Sequence, residues 1–101
     1  MGEMGFATPV RSTEVTADSK IPASGDQSKW YGGCIVTSGA AATTVLIRDG
    51  TDATGAVKFT YKVEVANATR QFVLWPLLVK FDIGVFVDAD ANTAAVDVIH
   101  G

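Results

Sequence analysis

The stretch Thr43–Val65 constrains this chain more than any other. It reads Thr-Thr-Val-Leu-Ile-Arg-Asp, then Gly-Thr-Asp-Ala-Thr-Gly, then Ala-Val-Lys-Phe-Thr-Tyr-Lys-Val-Glu-Val. In its second half Val57, Phe59, Tyr61, Val63 and Val65 alternate without a break with Lys58, Thr60, Lys62 and Glu64. Successive side chains of an extended backbone point to opposite faces. A period of two with β-branched and aromatic residues on one side therefore describes a half-buried strand. The intervening Asp-Gly and Thr-Gly steps tolerate the positive φ angles that tight connections need. The stretch is predicted as a β-hairpin with one face turned into a core.

The rest of the chain is compatible with that start. Its 101 residues fit one domain, with enough chain to bury one modest core. Thirteen Val and eleven Thr stand against four Leu and three Glu, and Ala occurs mostly beside Thr, Gly and Asn. This composition predicts an all-β class. Before the hairpin, Lys29–Ser38 reads as a strand that starts at Trp30 and Tyr31, with Gly32-Gly33 as a kink or bulge and Cys34, Ile35 and Val36 buried. After it come a turn at Ala66–Ala68 and a strand at Arg70–Trp75. Pro76 interrupts this strand because it has no amide proton for a ladder. A short apolar run follows at Leu77–Phe81, and Ile83–Val87 reads as a strand. Asp88–Asn92 is a turn, and Ala94–Ile99 closes the domain with Val96 and Val98 inward. Seven or eight short strands separated by turn signals predict an antiparallel β-sandwich, jelly-roll-like, over residues 29–101.

Residues 1–28 differ in kind. They are rich in Ser, Thr, Ala, Asp and Gly, carry Pro9 and Pro22, and offer one thin strand candidate at Thr8–Val15. They are predicted as an extended N-terminal arm held by a neighbouring subunit. Charge is uneven too, around a net −3. Lys and Arg outnumber carboxylates in residues 29–81, whereas residues 82–101 hold Asp82, Asp88, Asp90 and Asp97 with no Lys or Arg. Two readings are open: these segments neighbour one another within one sandwich, or acidic and basic parts of adjacent subunits meet.

The candidate chemical sites are thin. The mildly acidic balance gives no footprint for nucleic acid. No apolar run is long enough to span a bilayer, and Met1–Phe6 lacks the basic region of a secretory leader, so no membrane partner is expected. Cys34 is the single cysteine, which excludes an internal disulfide and fits a small core residue made in a reducing cytoplasm. His100 is the only histidine and lies one residue from the end, where a frayed terminus or a subunit contact is expected ahead of a metal or catalytic role. Asp88, Asp90 and Asn92 open like a calcium loop. However, Thr93 takes the place of its turn glycine and Ile99 that of its closing Glu, so a polar turn is expected. Asp49 and Asp52 are expected to bond their own turn. Without a Gly-x-Ser-x-Gly elbow or another nucleophile–base motif, no enzyme activity and no cofactor are expected. Trp30, Tyr31, Phe72, Trp75 and Phe86 exceed the aromatic needs of one thin core. The surplus would anchor a subunit interface or stack on sugars.

The order Trp30-Tyr31-Gly32-Gly33-Cys34-Ile35-Val36-Thr37-Ser38, then Thr44-Val45-Leu46-Ile47-Arg48-Asp49-Gly50-Thr51, then Gly84-Val85-Phe86-Val87-Asp88 and Val96-Asp97-Val98-Ile99 resembles small β-sandwich virion proteins of tailed bacteriophages. These include capsid decoration (cement) proteins and related fibre or tail accessories. The resemblance covers about residues 29–101 and implies a non-enzymatic homotrimer located in the virion and bound to the major capsid protein. The residues expected to make subunit or capsid contacts are Arg11, Trp30, Tyr31, Lys58, Lys62 and Trp75. Alternatives are a head-fibre or tail position, and a carbohydrate-binding module of a receptor-binding apparatus.

Overall fold

The predicted hairpin is present and sits inside a larger all-β arrangement. The computed structural model describes residues 10–101. They contain no helix and nine strands: β1 Arg11–Val15, β2 Ser19–Lys20, β3 Trp30–Ser38, β4 Thr43–Asp49, β5 Ala56–Val63, β6 Thr69–Val73, β7 Val79–Lys80, β8 Val85–Ala89 and β9 Thr93–His100. One sheet has the order β1-β9-β3-β6, with β7 also pairing β3. The other has the order β2-β8-β4-β5. All pairings are antiparallel.

The alternation in the sequence determines which side chains meet between the sheets. Val45 and Ile47 of β4, Val85 and Val87 of β8, Cys34 and Val36 of β3, and Val96 and Val98 of β9 are all fully buried. Tyr31, Phe59, Tyr61, Phe72 and Phe81 fill one side of this core with tilted and stacked ring pairs, the closest being Tyr61–Phe72 at 4.4 Å between centroids. Along β5 the inward face is buried only from Phe59 to Val63. Val57, expected on the same face, is instead turned outward. The β4–β5 register shifts between Ile47 and Arg48, which sets Val57 opposite Arg48 and leaves it exposed, while Val65 lies exposed beyond the end of β5.

Two further sequence expectations change. Of the expected arm at 1–28, residues 1–9 lie outside the described residues, while the remainder belongs to the sandwich. Arg11–Val15 pairs with His100–Val96, Ser19–Lys20 pairs with Val87–Phe86, and Ile21 is fully buried. The segment is polar because both strands are outermost in their sheets and need few apolar contacts. A backbone ladder and one buried Ile hold it, so residue 28 is not a domain boundary. Ile83, read as part of a strand, instead precedes β8 in an exposed loop.

Gly32-Gly33 forms the expected bulge: the β3–β9 register shifts between Tyr31 and Cys34. Gly33 has φ of 104°, and a Cβ there would meet the Phe72 carbonyl, the Leu74 nitrogen at 2.6 Å and the Val73 Cα at 2.8 Å. These neighbours are backbone atoms of the paired strand and cannot move aside. Gly25 also has a positive φ, 82°, but has open space around it. Gly25→Ala should therefore cost about 1 kcal/mol from backbone strain, and Gly33→Ala well over 2 kcal/mol. Urea midpoints of the two variants against wild type give the comparison.

Candidate functional site

The strand registers distinguish two ends of the sandwich. At one end Asp49 lies opposite Val85 and Ala56, and Tyr31 opposite both His100 and Val79. A backbone bond from Val85 N of β8 to Ser28 O, just before β3, ties the two sheets together there, and Phe81 N to Lys29 O extends the β7–β3 pairing. At the other end Thr43, Thr93 and Ser38 approach the turns at Asp90–Asn92 and Val65–Ala68.

The Thr43 end is closed by polar side chains. Thr43 Oγ1 donates to Asp90 Oδ1 at 2.5 Å, and Asp90 also accepts from the backbone of Thr44 and Asn92, each at 2.8 Å. Burial raises the Asp90 carboxyl, but these donors prevail and hold its pKa below the usual value. Asp88 pairs with Arg48, whose Nε lies 2.9 Å from Asp88 Oδ2. The candidate calcium residues are thus engaged in turn and sheet bonds, and no His/Cys/Asp/Glu group able to hold a metal occurs among the described residues.

The Asp49 end is organised around a buried carboxylate. Asp49 accepts from the backbone nitrogens of Asp82, Ile83 and Gly84 at 2.9, 2.8 and 3.1 Å. Desolvation opposes its charge, yet these three donors, with Lys58 nearby, lower its pKa. It therefore bonds a distant segment, not its own turn as expected. Asp52 does follow the local pattern, accepting from Thr54 N at 2.8 Å. An open cleft of about 430 Å³ lies over this region, lined by Asp49, Asp52, Thr54, Lys58, Asp82 and Ile83 among others.

His100 corrects its expectation. It is neither frayed nor exposed: it is 1 % exposed, with Nε2 2.7 Å from Thr13 Oγ1 and Nδ1 buried without a partner. Burial, and then the Arg11 charge on the adjacent strand, hold its pKa below the ordinary imidazole value, against an opposing pull from the Gly101 backbone. Cys34 is the core residue predicted, and burial pushes its thiol up to about 11 despite a smaller opposing hydrogen bond to Tyr31.

The expected contact residues separate by burial. Tyr31 is removed from the set, because it is fully buried and its hydroxyl donates to Tyr61 at 3.0 Å. Bulge geometry explains this: Tyr31 points inward and Gly32 outward, where a Cβ would meet Ile99 and Leu78 side chains. Trp30 is half-buried, with Lys80 Nζ 5.8 Å from its ring centroid. Arg11, Lys58 and Lys62 are exposed, and Trp75 is 48 % exposed. Sequence reading missed the company Trp75 keeps. Val10, Val57, Val73, Trp75, Leu77 and Ile83 are exposed large apolar residues at or toward the Asp49 end, while Val65 lies at the other. The available signal was Pro76 and Gly84, which take Leu77 and Ile83 out of strands and onto loops.

No family model, curated protein or solved structure matches this chain.

Two measurements check these environments. Cys34 should resist thiol reagents at pH 8 in the native protein and react fully after denaturation. Stability should be full above about pH 6.5, the free imidazole value, and fall as pH drops through the lower folded value of His100. A second loss should begin below about pH 4 as the depressed Asp49 group takes up its proton. His100→Gln should flatten the first step and Asp49→Asn the second in urea titrations across pH.

Proposed function

We propose that this chain is a non-enzymatic structural subunit of a phage virion, a capsid decoration (cement) protein that binds the outer surface of the head lattice. The observation that carries the proposal is the bias of exposed large apolar side chains toward one end of a small two-sheet body. Trp75 and Leu77 occupy the β6–β7 connection there and Ile83 the β7–β8 connection, while Val10 precedes β1 at the same end. Such an end has the makeup of an interface core, with large apolar groups beside Asp82 and Lys58.

The groups that would support catalysis have structural work. The Cys34 thiol is buried and protonated, His100 closes β9 against Thr13, and Asp49 and Asp90 accept backbone bonds. A decoration protein acts by binding energy spread over many copies, for which a rigid body with a contact end suffices. The exposed Trp75 keeps the sugar-binding reading in the experiment.

Heads stripped of their accessory proteins, incubated with the purified chain, should take it up saturably and withstand higher temperature. Leu77→Asp with Ile83→Asp should lower the affinity at least tenfold, since two exposed positions tolerate the charge while an apolar contact does not. Absence of head binding, or unchanged binding by the double variant, would overturn the proposal. Millimolar-range binding on a glycan array that depends on Trp75 would replace it with carbohydrate recognition.

A further inference from the structure

Strand β1 is held loosely. It is outermost in the first sheet, five residues long, and Val15 is its one large apolar side chain. Across from it β9 sets Asp97 directly opposite Glu14, a like-charge pair that weakens the ladder. Beyond Val15 the chain runs through exposed Thr16 and Ala17 before it is fixed again. There Asp18 Oδ1 accepts from Ala89 N at 2.8 Å, and Ser19 and Lys20 pair with β8. Ile21, fully buried, then donates from its backbone to Val85 O at 3.0 Å. β1 is therefore a short edge strand with a loose run behind it and a firm anchor after that.

This strand covers one side of His100, which lies opposite Arg11 at the end of the ladder. The ring is 1 % exposed, with Nε2 2.7 Å from Thr13 Oγ1 and Nδ1 buried without a partner. A neutral imidazole tolerates this, since one of its nitrogens is only an acceptor. An imidazolium has two N–H donors and needs an acceptor at both, besides losing the hydration of its charge. Arg11 and Thr13 face the ring from β1, and Tyr31 and Cys34 are the inward residues of β3 beside it. The opposite sheet turns Ile21 and the Val85 and Val87 of β8 toward the core at this end. One strand farther across, on β4, is the Asp49 carboxylate, already engaged by three backbone amides. Among these groups Arg11 is the charge that acts on the ring, and it opposes a proton, while the Gly101 backbone favours one more weakly.

We propose that His100 is a proton-operated latch on β1: protonation of the buried ring releases Arg11–Val15 from β9, hinged at Thr16 and Ala17, while the rest of the sandwich stays folded. Of the two strands beside His100, β1 is the one that can leave, because β3 has partners on both sides. Its departure opens the ring to water and separates it from Arg11. The open form bares the outer edge of β9 from Val96 to His100, a row of backbone groups able to pair with another strand. The latch goes beyond the proposed function and does not involve Trp75, Leu77 or Ile83, so either stands or falls without the other. A released ring takes up its proton below about pH 6.5 and the closed ring only at a lower pH. Opening therefore grows as pH falls between the two values and levels off below the lower one.

Amide hydrogen exchange followed by NMR on the purified chain, normalised to intrinsic exchange rates, tests the latch at about pH 7.5 and about pH 5. As a strand that opens alone, β1 should be at least tenfold less protected than β4 at either pH. Its protection should fall at least threefold on acidification, with a ceiling of about tenfold for each unit below 6.5, while β4 and β8 keep their native resonances. His100→Gln keeps a hydrogen-bonding side chain near Thr13 but takes no proton in this range, and should abolish the fall. Arg11→Gln, at an exposed position, should reduce it, since the closed ring then accepts its proton at a higher pH. Protection of β1 that is unchanged by acid, or equal to that of β4 throughout, would overturn the latch. So would an undiminished fall in Arg11→Gln, the result that decides should His100→Gln fail to fold.

Discussion

The Asp49 carboxylate is the interaction on which the arrangement of the second sheet depends. The chain must leave β7 in one sheet and enter β8 in the other within four residues, Phe81 to Gly84. In that crossing Asp82, Ile83 and Gly84 present amides that no ladder satisfies, and Asp49 accepts all three. The same corner is tied by Gly50 N to Gly84 O at 3.0 Å, and by the Gln27 side chain, which donates to the carbonyls of Gly50 and Val85. A buried carboxylate is unfavourable alone, but three backbone donors to a charged acceptor are each stronger than a neutral pair. The hairpin therefore does more than contribute a face to the core. Its end determines where β8 enters, and β8 in turn receives β2 on its free side.

That crossing also explains why the two ends differ. At the Thr43 end the turns are short and their polar groups bond inward, through Thr43, Thr93, Ser38 and Asp90. Few apolar atoms are needed there, and among the described residues Val65 is the one large apolar side chain left out. At the Asp49 end the connections change sheets, and the bonds holding them are directed at backbone. The side chains they carry, Leu77 and Ile83, face away from the core because its volume is already occupied by Tyr31, Phe59 and Phe81. Exposure of apolar groups is thus a consequence of how the core is filled, and it concentrates contact capacity in one place.

The hairpin, the bulge, the strand at Ala94–Ile99 and the buried cysteine were legible because each is a local pattern: alternation, a Gly pair, or an apolar run. What was not legible depends on pairing between distant segments. The polarity of Arg11–Lys20 resembled a free arm, since sequence does not show that an outermost strand beside β9 needs only a ladder. The position of His100 near the end favoured fraying, while its cross-strand place opposite Arg11 and Tyr31 buries it. Tyr31 was grouped with surplus aromatics because the phase of alternation is lost across Gly32-Gly33. The calcium-like run Asp88–Asn92 was read as a turn throughout, but Asp88 and Ala89 complete β8, Asp88 bonds Arg48 on the neighbouring strand, and the turn begins at Asp90.

The charge distribution shows the same limit from another side. Along the sequence, basic residues 29–81 and acidic residues 82–101 appear as blocks. Folding breaks the blocks apart: Asp88 is neutralised by Arg48, Asp90 is occupied in a turn, and Asp49 is consumed by the crossing. The cations of β5, β6 and β7 retain no paired carboxylate among the described residues, and Glu14 is brought opposite Asp97 from 83 positions away in the chain. Like charges set directly opposite one another weaken the ladder they sit on. Replacing either residue with a neutral one would relieve the repulsion locally. Neither member of the pair is informative alone in the sequence; their meaning comes from the strand pairing that sets them side by side.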